Sequence, residues 1–243
     1  MRYTITNFAD MPLYDLPVAV FDFETTGVDP DNDKVVEVAV VHFNLGTSVP
    51  QVVYNKRINP GVPIPEGASK VHGITDIHVD GCSPFGDCWS EINEVLQGRV
   101  LAAYNLPFDW TLLAREYQRM GNFHPGRDYV SPYSGQFFGI DGFVLAKWVD
   151  SHIRGKGVHK LGSVCKRRNI EINAHEASSD ALATAHLITQ LLTEVSRKRN
   201  DRFPTFRDFW GWQKSVAIEQ EAGLRGYFKK KDIKKDFWPW TDL

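Results

Sequence analysis

Residues 17–27 read PVAVFDFETTG. Pro17 opens the stretch and Thr25-Thr26-Gly27 closes it, and the β-branched and aromatic residues between predict a strand over 17–24 with a turn behind it. Side chains alternate across a strand, so Phe21 and Phe23 leave by one face, toward a core, and Asp22 and Glu24 by the other. Two carboxylates held a few ångströms apart repel and raise each other's pKa unless cations sit between them. A divalent metal removes the conflict, and oxygen-only ligands favour Mg2+ or Mn2+ over Zn2+. Taken alone, the pair reads equally well as a charged strand end.

Working outward, 34–43 (KVVEVAVVHF) and 51–58 (QVVYNKRI) have the same strand character, and three strands with short connections predict an antiparallel meander. Beyond the Pro/Gly-rich stretch 59–67 the pattern changes to a helix near 84–97, a strand at 99–104 and a helix at 107–121. A strand at 137–141 and helices at 142–152, 159–169 and 178–200 follow. Strands separated by helices pair in parallel, so the expected fold class is α/β with a mixed central sheet flanked by helices. Residues 1–200 form the expected domain. The richness in Trp, Phe and Lys that follows marks 201–243 as an aromatic and basic extension packed on it. The stretch 122–136 is rich in loop formers and reads as a solvent loop or a specificity loop.

A chain of 243 residues can bury one sizeable core, and 42% hydrophobic with 24% charged residues is a globular composition rather than a disordered or fibrous one. With a net charge of −2, any contact with nucleic acid has to come from local basic patches. No segment reaches the ~18 apolar residues of a membrane span, and Asp10 and Asp15 interrupt the first twenty residues. A soluble, intracellular, cytoplasmic protein without a membrane partner is expected. Cys82, Cys88 and Cys165 are odd in number and lack ligand spacing, which argues against a disulfide framework and against a zinc site.

Two further segments carry acids where chemistry needs them. In Asn105-Leu106-Pro107-Phe108-Asp109, Pro107 suits the first turn of a helix, which sets Asp109 beside the carboxyl end of the sheet, where open α/β folds build their sites. In 175–180 (HEASSD), Ser178 or Ser179 can cap the helix that follows, leaving Asp180 in its first turn and His175 in the loop before. A histidine with an ordinary pKa near ~6.5 takes a proton from water at neutral pH, so His175 is a candidate general base. Six basic residues, Arg154, Lys156, Lys160, Lys166, Arg167 and Arg168, precede it as a phosphate-binding flank or a solvated helix face. A second basic run, 225–235, with Tyr227, Phe228 and the aromatic segment 237–240, reads as a single-strand grip or as packing.

Together, Phe21-Asp22-Phe23-Glu24-Thr25-Thr26-Gly27, Asn105-x-x-Phe108-Asp109 and His175-x-x-x-x-Asp180 resemble the DnaQ-like, or DEDD-type, exonuclease family in its histidine-containing branch. The segment Val71-His72-Gly73-Ile74-Thr75 resembles the family's V-H-G-I segment, and the likeness covers about residues 17–195. It implies a ribonuclease H-like fold and a 3′-to-5′ exonuclease that releases 5′-mononucleotides from a nucleic acid, DNA or RNA, with a free and single-stranded 3′ end. It also implies two divalent metal ions, Mg2+ or Mn2+, held by Asp22, Glu24, Asp109 and Asp180. In that scheme Asp22 bridges the ions, Asp109 acts directly or through water, and His175 activates the attacking water. Thr25, Thr26, His72, Ile74, Asn105 and Phe108 fall among its substrate-binding positions, with Thr25 and Thr26 at the terminal nucleotide and His72 and Ile74 as a wall for its base. Tyr104 stands where relatives often carry histidine. A polymerase served in trans is a possible partner, and the competing reading is a non-catalytic nucleic-acid or polymerase-associated module with the same fold.

Overall fold

The computed structural model describes residues 6–29, 31–46, 48–121 and 139–230. Helix α1 (Thr6–Ala9) and a 3-10 turn (Leu13–Asp15) lead into strands β1 (Pro17–Thr25), β2 (Val35–Asn44) and β3 (Gln51–Arg57). Helices α2 (Glu66–His72), α3 (Asp76–Val79) and α4 (Phe85–Leu96) come next, then β4 (Val100–Ala103), α5 (Leu106–Arg119), β5 (Gly139–Asp141), α6 (Gly142–Val149), α7 (Leu161–Arg167), α8 (Ala177–Arg199) and α9 (Phe206–Lys230). Among the described residues the sheet has five strands in the order β3-β2-β1-β4-β5. The expected meander is β3-β2-β1, paired antiparallel, and the two strands reached through helices pair in parallel. The candidate specificity loop, 122–136, lies outside the described residues.

Strand alternation sorts the core into two layers. Val18, Val20, Ala39 and Val41 face α6 and α8 and pack with Leu145, Leu187, Ile188 and Leu191. Phe21, Phe23, Val38 and Val40 face α4 and α5 and pack with Ile92, Leu96, Trp110 and Leu113. The 2.0 period of β1 thus meets the 3.6 period of a helix on each side.

Two features, the added helices and the capping of α8, depart from the sequence expectations. Helices α2 and α3 occupy a stretch with no assigned element; Gly73, at φ 73°, ends α2 with the left-handed turn that glycine adopts without a Cβ penalty. Neither Ser178 nor Ser179 caps α8, because Ser178 hydroxyl donates to Glu176 and Ser179 hydroxyl accepts from the Asn173 amide; the Ala177 amide instead donates to Glu37 on β2. Beyond residue 200, α9 places Phe206, Phe209 and Trp210 in the interior. Its Gln213, wholly buried, donates to the Gly139 carbonyl (3.0 Å) and accepts from the Asp141 amide (2.9 Å), so a side chain occupies backbone groups of β5 that no further strand takes among the described residues. The described cysteines are free thiols, and no described helix is long and apolar enough to cross a membrane.

Candidate active site

The face of β1 turned toward α8 reads Val18, Val20, Asp22, Glu24: apolar where the helix packs and acidic where the strand ends. Over that acidic end comes the first turn of α8 with Asp180, preceded by His175. One ligand-capable atom each of Glu24, His175 and Asp180 lie within 4.8 Å of one another. From the other layer, α5 starts beside the same edge, because β4 runs parallel to β1, and brings Asp109 in its first turn, 4% exposed. Asp22 lies within electrostatic reach of Asp109, Asp180 and Glu24, so the four acids and His175 gather at one end of the sheet.

These carboxylates crowd each other. Burial, then the charges of Asp109, Asp180 and Glu24, hold Asp22 well above the ordinary carboxylate range. Asp109 is likewise raised well above it, chiefly by burial, against backbone hydrogen bonds that pull it down. Burial, Asp180 and Glu37 push Glu24 up to about 8, and burial raises Asp180 to about 6. Asp180 Oδ2 accepts the His175 amide at 3.2 Å, whereas its Oδ1 is buried with no hydrogen-bond partner. A buried, unpaired carboxylate oxygen is costly unless a cation completes it. The donor set, carboxylates with one imidazole, suits a hard divalent ion, and the residues fit such a group. His175 itself is exposed and sits at φ 70°, a left-handed conformation that few non-glycine residues adopt and that clusters at functional sites.

The predicted substrate-binding positions differ in how free they are. Thr26 spends its amide on the Lys34 carbonyl and its hydroxyl on Asp33 and the Lys34 amide; the Thr25 hydroxyl donates to the Gly27 carbonyl. His72 Nδ1 accepts from the Ile74 amide (3.0 Å), which assigns the proton to Nε2, placed to donate to the Thr25 carbonyl (3.1 Å). Burial lowers the His72 pKa, in keeping with that neutral ring. Both ring nitrogens are thus committed to the chain. Ile74 is buried, packed with Val36, Ile64 and Val79. Asn105 precedes α5 at φ 78°, and Phe108 is half-buried against the second core layer. Tyr104 donates its hydroxyl to the His159 carbonyl and meets the Phe143 ring edge-on at 5.8 Å. Of the basic flank, Arg167 and Arg168 are tied to Asp150, and Arg168 also to Glu194.

Two acids escaped the sequence reading. Glu37 is the one charge inside the valine run of β2, and Asp141 directly precedes a glycine that starts a helix; each was a visible anomaly. Glu37 is 7% exposed, in register with Glu24 on one side and Arg57 on the other. Asp141, 1% exposed, accepts the amides of Phe143 and Val144 at the start of α6 and of Asn105 ahead of α5, so one carboxylate joins two helix N-termini. Burial nonetheless raises it to about 6.

Residues 19–188 match the RNase_T family model, described as Exonuclease. A DNA polymerase III subunit epsilon-like protein from Rhodobacter capsulatus is 32% identical over 194 residues, 78% of this chain; the chain spans only 26% of that relative's length. Among solved structures, Exonuclease X in complex with 5′ overhanging duplex DNA superposes at a TM-score of 0.51 with 21% identity, over 72% of this chain and 91% of that one. E. coli Exonuclease I in complex with a dT13 oligonucleotide superposes at 0.59 with 19% identity, over 76% and 43%.

Proposed function

The chain belongs to the RNase_T exonuclease family, in the DnaQ-like group with the ribonuclease H-like fold, and from that premise we propose that it hydrolyses phosphodiester bonds from the 3′ end of a nucleic acid, releasing 5′-mononucleotides. The observation that carries the proposal is the convergence of Glu24, His175 and Asp180 on one point, beside Asp22 and Asp109, with a buried Asp180 oxygen lacking a partner.

In this reading Asp22, Glu24, Asp109 and Asp180 would hold two divalent ions, Mg2+ or Mn2+. Bound there, such ions stabilise the entering and leaving oxygens of an in-line displacement at phosphorus. His175, exposed ahead of α8, takes the proton of the attacking water; its left-handed backbone aims it from the loop while its amide stays on Asp180. His72 fixes the Thr25 carbonyl and offers its ring face to the terminal base, and Ile74 is the second proposed residue of that wall. Contact with a π-face tolerates any base, as an enzyme that removes nucleotides in succession requires. Thr25, Thr26, Asn105 and Phe108 complete the wall around the terminal nucleotide. Single-stranded 3′ ends are the proposed substrate and a polymerase in trans a proposed partner, in keeping with the name of the Rhodobacter relative. Residues 201–243 are proposed as an extension anchored on the domain through α9.

The test is a time course on 5′-labelled single-stranded DNA and RNA with Mn2+, Mg2+ or chelator, comparing the native protein with Asp180→Ala. A metal-dependent ladder shortening from the 3′ end, lost in the variant, is the expected result. A folded native protein that shortens neither substrate would overturn the proposal.

A further inference from the structure

Glu24, Glu37 and Arg57 form one row across β1, β2 and β3, each the register partner of the next. Directly paired residues present their side chains on the same face, so two acids stand side by side, an arrangement that destabilises a sheet unless something else requires it. Glu37 has two partners. Its Oε2 accepts the amide of Ala177, the first residue of α8, at 3.2 Å, and its Oε1 lies 3.8 Å from Arg57 Nε. Oε2 is thus hydrogen-bonded to a protein donor and Oε1 faces the Arg57 guanidinium, while Glu37 is not among the side chains whose ligand atoms converge with those of Asp180 and His175.

The start of α8 has no other side-chain cap: Glu176 occupies the N-cap position without a capping bond, and the nearby serine hydroxyls are spent elsewhere. A helix N-terminus leaves its first amides unpaired, and a buried carboxylate satisfies one of them while complementing the helix dipole. Asp180 sits in that first turn, and its carboxylate in turn holds the His175 amide. We propose, resting on the exonuclease reading above, that Glu37, backed by Arg57, is a positioning residue: it pegs the N-terminus of α8 to the strand beside Glu24 and so sets the spacing of Asp180 and His175 from Glu24. Glu37 touches no reacting atom in this scheme. It acts through the Ala177 amide.

Reach and charge are separable here. Glu37→Gln keeps an oxygen at the same reach without the charge; Glu37→Asp keeps the charge one methylene short of Ala177. In the full chain, kcat and KM on a single-stranded 5′-labelled oligonucleotide with Mn2+, Mn2+ affinity by calorimetry, and hydrogen exchange at the amides of 177–180 are compared. Glu37→Asp is expected to lower kcat by about tenfold to a hundredfold, the scale of a misplaced catalytic group, with KM little changed, faster exchange at Ala177 and weaker Mn2+ binding. Glu37→Gln is expected to stay near native in all of them. An inactive Glu37→Gln beside an active Glu37→Asp, or native behaviour in both, would overturn the inference. A native protein with no nuclease activity would overturn the exonuclease reading alone, because the exchange and Mn2+ measurements still decide whether Glu37 pegs the helix.

Discussion

Glu24 and Glu37 stand in register on antiparallel strands, side by side beneath the start of α8, and Glu24 carries the consequence: burial, with Asp180 and Glu37 nearby, raises it to about 8. Crowded acids of this kind oppose folding until a cation arrives. Glu24→Gln removes one of them and should raise the melting temperature in chelator. The same change removes a proposed ligand, so the gain on adding Mn2+ should vanish. For the native protein, saturation at a hundred times Kd adds about 2.7 kcal/mol. Thermal melts with and without Mn2+ check both signs; a variant that still gains the native increment would remove Glu24 from the ligand set.

Stability of the metal-free protein should fall as pH rises. Glu24 and Asp180 have folded pKa values, about 8 and about 6, above their ordinary 4.5 and 3.8. A group raised on folding contributes stability that is complete below its unfolded value and lost as pH climbs through its folded value. The loss attributable to these two therefore runs from about pH 4 to about pH 8, with the Glu24 part extending furthest. Protons and metal compete for the same oxygens, so Mn2+ affinity should rise over that range. Denaturation in chelator at pH 5, 6.5 and 8, paired with calorimetric Mn2+ titrations, measures the two slopes, which should be opposite.

Much of this arrangement is legible in the sequence. The alternation of Phe21 and Phe23 with Asp22 and Glu24 is a local property of one strand, and Pro107 ahead of Asp109 marks a helix start in a few residues. What escaped was tertiary. Ser178 looked like a cap because cap signals are read within a segment, whereas the acceptor for Ala177 comes from Glu37, 140 residues away in the chain. Gln213 carries no local signature at all; its role exists only because α9 lies against the edge of β5. Likewise the ring of His72 was read as a wall, while its two nitrogens are bound to the backbone of Thr25 and Ile74, a contact that spans 47 residues on one side.

His175 should be separable from the acids. Its side chain is exposed and only its amide holds Asp180, so His175→Ala leaves that hydrogen bond in place and should not disturb the fold. Removing a general base costs about 10²–10⁴-fold, and that loss is expected in kcat. Mn2+-dependent stabilisation should persist, because the four carboxylates remain. If the variant instead loses Mn2+ binding while retaining kcat at saturating Mn2+, His175 is a ligand and not the base; single-turnover rates against Mn2+ concentration distinguish the two.

Gln213 tests whether α9 belongs to the same cooperative unit as the site. Its two side-chain hydrogen bonds occupy the Gly139 carbonyl and the Asp141 amide, and Gln213→Leu leaves both buried groups without a partner. At about 1–3 kcal/mol for each stranded group, the expected loss is about 2–6 kcal/mol in urea denaturation. The strain does not stop at β5, because the carboxylate of Asp141 holds the Asn105 amide ahead of α5, the helix that carries Asp109. Activity should therefore fall with stability, through kcat more than KM, although α9 supplies none of the proposed ligands. A Gln213→Leu variant that unfolds at the native urea concentration would mean that the edge of β5 gains nothing from α9, and the extension would then be a separable appendage.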